Sequence, residues 1–210
     1  MTASGGSNNY AAIFNAGNVG IGTSTPAVPL SVVGMASIVS HSSDTYISGG
    51  IVDATSTGNV GIGVSTLIAL SNGDNNVAVG FEALKTNTGG DSNTAIGYQA
   101  LKLNTTGTGN IAVGETSLVA NTDGGSNVAV GYGTLQSNTS GFSNVALGDV
   151  ALDSNTLGDY NIAIGAEGMR ENTEGNKNIC LGNVCMAGNT TGSSNISLGE
   201  FGLYRNQTGT

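Results

Sequence analysis

Residues able to do chemistry are sparse in this chain and do not gather. The one histidine, His41, precedes Ser42 and Ser43 and has no nucleophile elbow, H-E-x-x-H or P-loop around it, so it reads as a solvated loop residue. Cys180 and Cys185 are too few for a disulfide scaffold and lack the company a zinc site needs. They fall where equivalent segments carry Ala, Ser, Thr or Gly, and they read as two small buried side chains. Asp91 and Asp159 share a position that is Thr108, Gly125 and Phe142 elsewhere, so no calcium ladder is expected, and no pair of glycosidase carboxylates stands out. Gly20-Ile21-Gly22 belongs to a β-like stretch, not to a strand-to-helix phosphate loop. The expectation is a chain with no catalytic residue, no metal ligand and no cofactor.

What the chain has in excess is turn residues: 35 Gly and 25 Asn among 210 residues, with charged residues at 9% against roughly a quarter in an average domain. Helical surfaces lean on Lys, Glu, Arg and Ala, whereas Gly and Asn sit where a backbone turns, so the composition argues against a helix-rich enzyme. A hydrophobic share of 38% suffices for a core. The net charge of −9 opposes binding to a phosphate backbone, so no nucleic-acid partner is expected. The longest apolar run, Leu67 to Leu70, is far short of a membrane span, and Met1 to Gly5 lack the regions of a secretory signal.

A 17-residue repeat organises residues 71–210. The pentad Asn-x-Ala-x-Gly begins at Asn76, Asn93, Asn110, Asn127, Asn144, Asn161, Asn178 and Asn195, with Cys180 and Ser197 replacing the Ala in the last two copies. A large apolar residue recurs in the same register at Leu84, Leu101, Leu118, Leu135, Leu152, Met169, Met186 and Leu203. A second Asn recurs from Asn87 to Asn206, followed by Thr in all copies but the last, and a second Gly recurs from Gly90 to Gly209. Eight copies without an insertion specify a solenoid. Alternation in Val77-Ala78-Val79 predicts a strand, Ala83 to Lys85 a second short strand with Leu84 inward, and Asn87 to Ser92 a turn. Identical rungs then pair in parallel about 4.8 Å apart, giving a rod of roughly 35–40 Å. The Asn columns read as hydrogen-bonded ladders rather than ligands, and the sequons at Asn104, Asn138, Asn189 and Asn206 are by-products of one column.

Both faces of the first strand are apolar, one Val, Ile or Leu and the other Ala, and such a strand must be covered on both sides. The second strand covers one side. The other calls for further copies of the chain, with the small Ala face expected to let them approach closely.

The run Asn93-Thr94-Ala95-Ile96-Gly97-Tyr98-Gln99-Ala100-Leu101 resembles the head repeats of trimeric autotransporter adhesins, and still more their relatives in bacteriophage tail fibres. The resemblance covers residues 71–210 and implies a left-handed, homotrimeric parallel β-roll. Upstream, Gly17-Asn18-Val19-Gly20-Ile21-Gly22-Thr23-Ser24-Thr25-Pro26 resembles a segment common in tail fibres, and Gly58-Asn59-Val60-Gly61-Ile62-Gly63 is a second, partial copy. Residues 1–70 are expected to form a small Gly/Ser-rich β region serving as attachment or shaft. That segment often accompanies a C-terminal chaperone, absent here, so the chain reads as a fragment or a trimmed product.

The implied role is structural and adhesive. It is a virion tail-fibre segment whose partners are its own copies, other tail proteins and host surface polysaccharide, with Phe81, Tyr98 and Tyr132 as surface contacts and Phe142, Tyr160 and Tyr204 beside them. The alternative is the head of a bacterial surface adhesin. A tail-spike glycanase and an ice-binding solenoid rank behind these.

Overall fold

The computed structural model describes Ser56 and residues 58–209, together with three short strands nearer the N-terminus, β1 (Ala12–Asn15), β2 (Asn18–Ile21) and β3 (Leu30–Val32). These three make one sheet, β1 antiparallel to β2 and β2 parallel to β3. The first Gly-Asn-Val-Gly-Ile-Gly motif therefore supplies a central strand. His41 and the remainder of residues 1–55 lie outside the described residues.

The second unit is a parallel β-solenoid. Its strands are β4 (Val60–Ile62), β5 (Val77–Val79), β6 (Thr94–Ile96), β7 (Ile111–Val113), β8 (Val128–Val130), β9 (Val145–Leu147), β10 (Ile162–Ile164), β11 (Ile179–Leu181) and β12 (Ile196–Leu198). They hydrogen-bond in chain order as one nine-stranded sheet, each residue opposite its equivalent one rung on, as in Ala129 against Ala146. Among the described residues there is no helix. The sheet begins one rung before the boundary expected at residue 71: Val60 pairs with Val77, so the second motif copy, from Asn59, is a rung of the roll. Its centre is Gly61 where later rungs have Ala, which hides its membership from the pentad pattern.

The second strand expected over Ala83 to Lys85 is replaced by a turn spanning residues 81–86. Its backbone has positive φ at alternate residues, 56° at Glu82 and 48° at Leu84, which no strand allows. Hydrogen bonds between rungs persist all the same: Glu82 N donates back to Val64 O at 2.9 Å and Leu84 N forward to Ala100 O at 3.1 Å. Left-handed backbone costs an L residue about 1–2 kcal/mol, and a fully buried Leu recovers about the same or more. Leu84 and its equivalents as far as Met186 are completely enclosed. The left-handed column can therefore hold a Leu instead of a Gly.

Gly80 and its equivalents turn the corner after each strand. Gly97 has φ +141°, and a Cβ there would lie 2.3 Å from Gly114 O. Both the dihedral and the approach of the next rung exclude a side chain.

Candidate functional site

The interior of a rung is thin. Ala78 on the strand faces Ala83 and Leu84 on the turn, all fully buried, and two Asn columns close the ends. Asn127 shows the first column at work. Its Nδ2 donates to Asn110 Oδ1 at 3.1 Å and to Gly141 O at 2.8 Å, while its Oδ1 accepts from Asn144 N and Nδ2. The second column meets the same carbonyls: Asn138 Nδ2 reaches Gly141 O at 3.1 Å and Asn121 Oδ1 at 2.8 Å. The amides expected to form ladders do so. In the sequons, Asn104, Asn138 and Asn189 are sealed inside.

The Ala face of the strand is thus the covered one, and the Val/Ile/Leu face is open, the reverse of the expectation. Only residues the size of Ala fit between strand and turn, so the large side chains must point away. Through the middle of the rod they run from half-buried, as at Val77 and Val145, to exposed, with 38% of Val130 and 42% of Ile111 open and Ile96, Ile164 and Leu181 between those two. Two such columns over nine rungs, polar only at Thr94, leave on the order of 1,000 Å² of aliphatic surface, against about 300–600 Å² for the largest patch of an ordinary monomer. The columns' size contrast with Ala was the sequence signal for this face.

Cys180 and Cys185 are paired in a disulfide, a correction to their reading as two separate small side chains. They occupy the facing interior positions that are Ala78 and Ala83 six rungs earlier, with Cα atoms 5.8 Å apart. The neighbouring rungs make room with Gly168 and Gly202 at the Cys185 position, and a Cβ on Gly168 would stand 3.0 Å from Cys180 Sγ.

The aromatic candidates lie on the outer wall, all exposed. Phe81 and Tyr98 stack on consecutive rungs, centroids 5.4 Å apart and planes 10° from parallel. The stack turns one face of each ring onto the other. Tyr132 is two rungs past Tyr98, with Glu115 between, so the structure brings two of the three together.

Beside them Glu82 binds Lys102 Nζ at 2.7 Å and Gln99 Nε2 at 2.9 Å, and also Lys85. The Lys102 and Lys85 ammonium groups hold its carboxyl down at about 2. Asp153 is pushed up by burial, with Arg170 opposing.

Two hydrogen-bonding roles escaped sequence reasoning. Asp91 Oδ1 accepts from Asp74 N at 2.8 Å and Asp159 Oδ1 from Phe142 N at 2.7 Å, so these carboxylates cap the rung before them. Thr105, Thr122 and Thr139 each donate Oγ1 to the carbonyl of the next Thr, forming a third ladder that the constancy of the column could have disclosed. Among the described residues no cluster of three or more His, Cys, Asp or Glu is arranged to hold a metal, and no helix is long and apolar enough to cross a membrane. Comparison with protein-family models, curated proteins and solved structures gives no match.

Proposed function

We propose that this chain is a rigid, self-associating fibre segment: a left-handed roll in a homotrimer, part of a virion tail fibre that joins other tail proteins and presents its outer wall to host surface glycans. The observation that carries the reading is the open aliphatic face of the sheet. A strand face bearing Ile96, Ile111, Ile164 and Leu181 is built for burial, and the chain's own turn covers the opposite side. Copies of the same chain present the same spacing of columns, so their faces match rung for rung around an axis. The role is mechanical and adhesive, not catalytic: repeated rungs resist bending, and several copies multiply weak surface contacts.

The test is the molar mass of the purified chain by size exclusion with light scattering. Three times the 20.7 kDa of one chain is expected, falling to one chain in an Ile111→Lys/Ile164→Lys variant. A wild-type monomer would overturn the reading.

The disulfide favours a second reading, the head of a secreted bacterial adhesin. Cystines persist outside the reducing cytosol, where such a head folds. Trimer mass is common to both. Retention of this chain on purified tails or on bacterial outer surfaces separates them.

A further inference from the structure

The outer wall carries one notch that the repeat does not require. After each residue of the Leu column come two positions, filled by Lys85-Thr86, Lys102-Leu103, Val119-Ala120, Gln136-Ser137, Asp153-Ser154, Arg170-Glu171 and Tyr204-Arg205. At Ala187-Gly188 both are small. The result is a cavity of about 500 Å³ lined by Glu171, Ala187, Gly188, Tyr204, Arg205 and Gln207, within the range of small-ligand sites.

Its walls are fixed by the backbone ladder. Glu171 N donates to Ala187 O, and Gly188 N to Tyr204 O, each at 3.0 Å. A Cβ on Gly188 would lie 2.8 Å from Tyr204 O, so the floor stays bare. One missing layer of side chains opens a slot about 4.8 Å deep along the rod, close to the thickness of a saturated six-membered ring.

The lining is that of a polyol site. On one wall Glu171 has Oε1 3.4 Å from Arg170 Nη2 and, among the described residues, its second oxygen open. On the other, Arg205 makes no ion pair among the described residues, in a chain of net charge −9. A carboxylate that accepts and a guanidinium that donates suit adjacent hydroxyls, and their charges cancel, so the matching ligand is neutral. The Gln207 amide donates and accepts, and Tyr204 adds an aromatic wall.

We infer that this notch is a subsite for one neutral hexopyranose bearing vicinal hydroxyls. The inference rests on the glycan-contact part of the proposed function, and it moves that contact from the Phe81–Tyr98 stack to the notch. A single shallow site implies millimolar affinity, multiplied by copies of the chain.

Saturation-transfer NMR on the intact chain, with methyl glycosides of glucose, galactose and mannose and the methyl glycoside of glucuronic acid, tests it. Transfer to at least one neutral glycoside is expected. It should fall about tenfold in Arg205→Gln and in Ala187→Gln, which restores the residue type of Gln136, and persist in Tyr98→Ala. Melting curves establish that each variant is folded. No transfer from wild type, transfer that survives both notch variants, or preference for the glucuronide would overturn the subsite. Retention on bacterial surface polysaccharide separates the two levels: binding unchanged by the notch variants defeats the subsite and leaves the glycan reading, whereas notch-dependent glycoside binding without any polysaccharide binding does the opposite.

Discussion

Asn127 Oδ1 accepts the backbone N–H of Asn144 at 3.0 Å, one rung further along the solenoid, and both residues are fully buried. The side chain thereby completes a ladder that the backbone alone leaves open, because the chain bends at this corner and turns its own carbonyls elsewhere. Every rung from Asn76 to Asn195 repeats the contact with the Asn before it.

Asn127→Ala therefore removes two acceptor contacts and leaves Asn144 N buried without a partner. A loss of about 3 kcal/mol is expected, read as a lower denaturant midpoint at unchanged m-value. An unmoved midpoint would mean the amide ladder contributes nothing to the stack.

Val150 is a β-branched residue at φ 48°, in a column that is Gly133 one rung earlier. Branching at Cβ makes left-handed backbone costlier than for other L residues, whereas Asn tolerates it. Val150→Asn should stabilise the fold by about 1 kcal/mol and raise the melting temperature. A lower melting temperature would show that outward packing of Val150 outweighs its strain.

The Cys180–Cys185 link closes a short loop, so its effect on the unfolded chain is small, about 2 kcal/mol in the chain-entropy account. Cys180→Ala/Cys185→Ala recreates the interior of the Ala78/Ala83 rung and should fold normally with a midpoint lowered by up to that amount. Native oxidised chain should resist alkylation, and denatured chain should take up two alkyl groups only after reduction. Uptake by denatured chain without reductant would disprove the pairing.

Acid should weaken the fold through Glu82. Its carboxyl titrates at about 2 when folded and near 4.5 when unfolded, so the Lys102 and Lys85 contacts add stability above about 4.5 that is lost as pH falls towards 2. Glu82→Gln should flatten the stability profile in that window. Asp153 acts in the opposite sense: burial raises its pKa above 3.8, so its ionised form costs stability as pH rises past that value, and Asp153→Asn should stabilise the neutral protein. An unchanged profile in both variants would remove charge from the account of this wall.

Much of the fold is legible in the amino-acid pattern alone. Asn76, Leu84 and Gly90 recur with their columns every 17 residues, and identical rungs can stack only by pairing each residue with its copy, so period, parallel register and amide ladders follow from the pattern. The first rung escaped because Gly61 replaces Ala, and the notch because two small residues, Ala187 and Gly188, look like ordinary variation. The aromatic candidates were located by type, but nothing in their spacing could reveal that Phe81 and Tyr98 would occupy one another's faces.

The sequence by itself thus determined the repeat, the strand in each rung and the inward Leu and Asn columns, because these depend on periodicity and on the need to satisfy buried amides. The tertiary structure decided three further matters: which face of the strand is open, that the return path is a turn with positive φ at alternate residues, and that Cys180 meets Cys185. Each depends on the distance across a rung, and alternation with apolar residues on both sides does not encode that distance. The narrow gap between strand and turn admits Ala78 but not Val77, and that single steric limit turns the aliphatic columns outward.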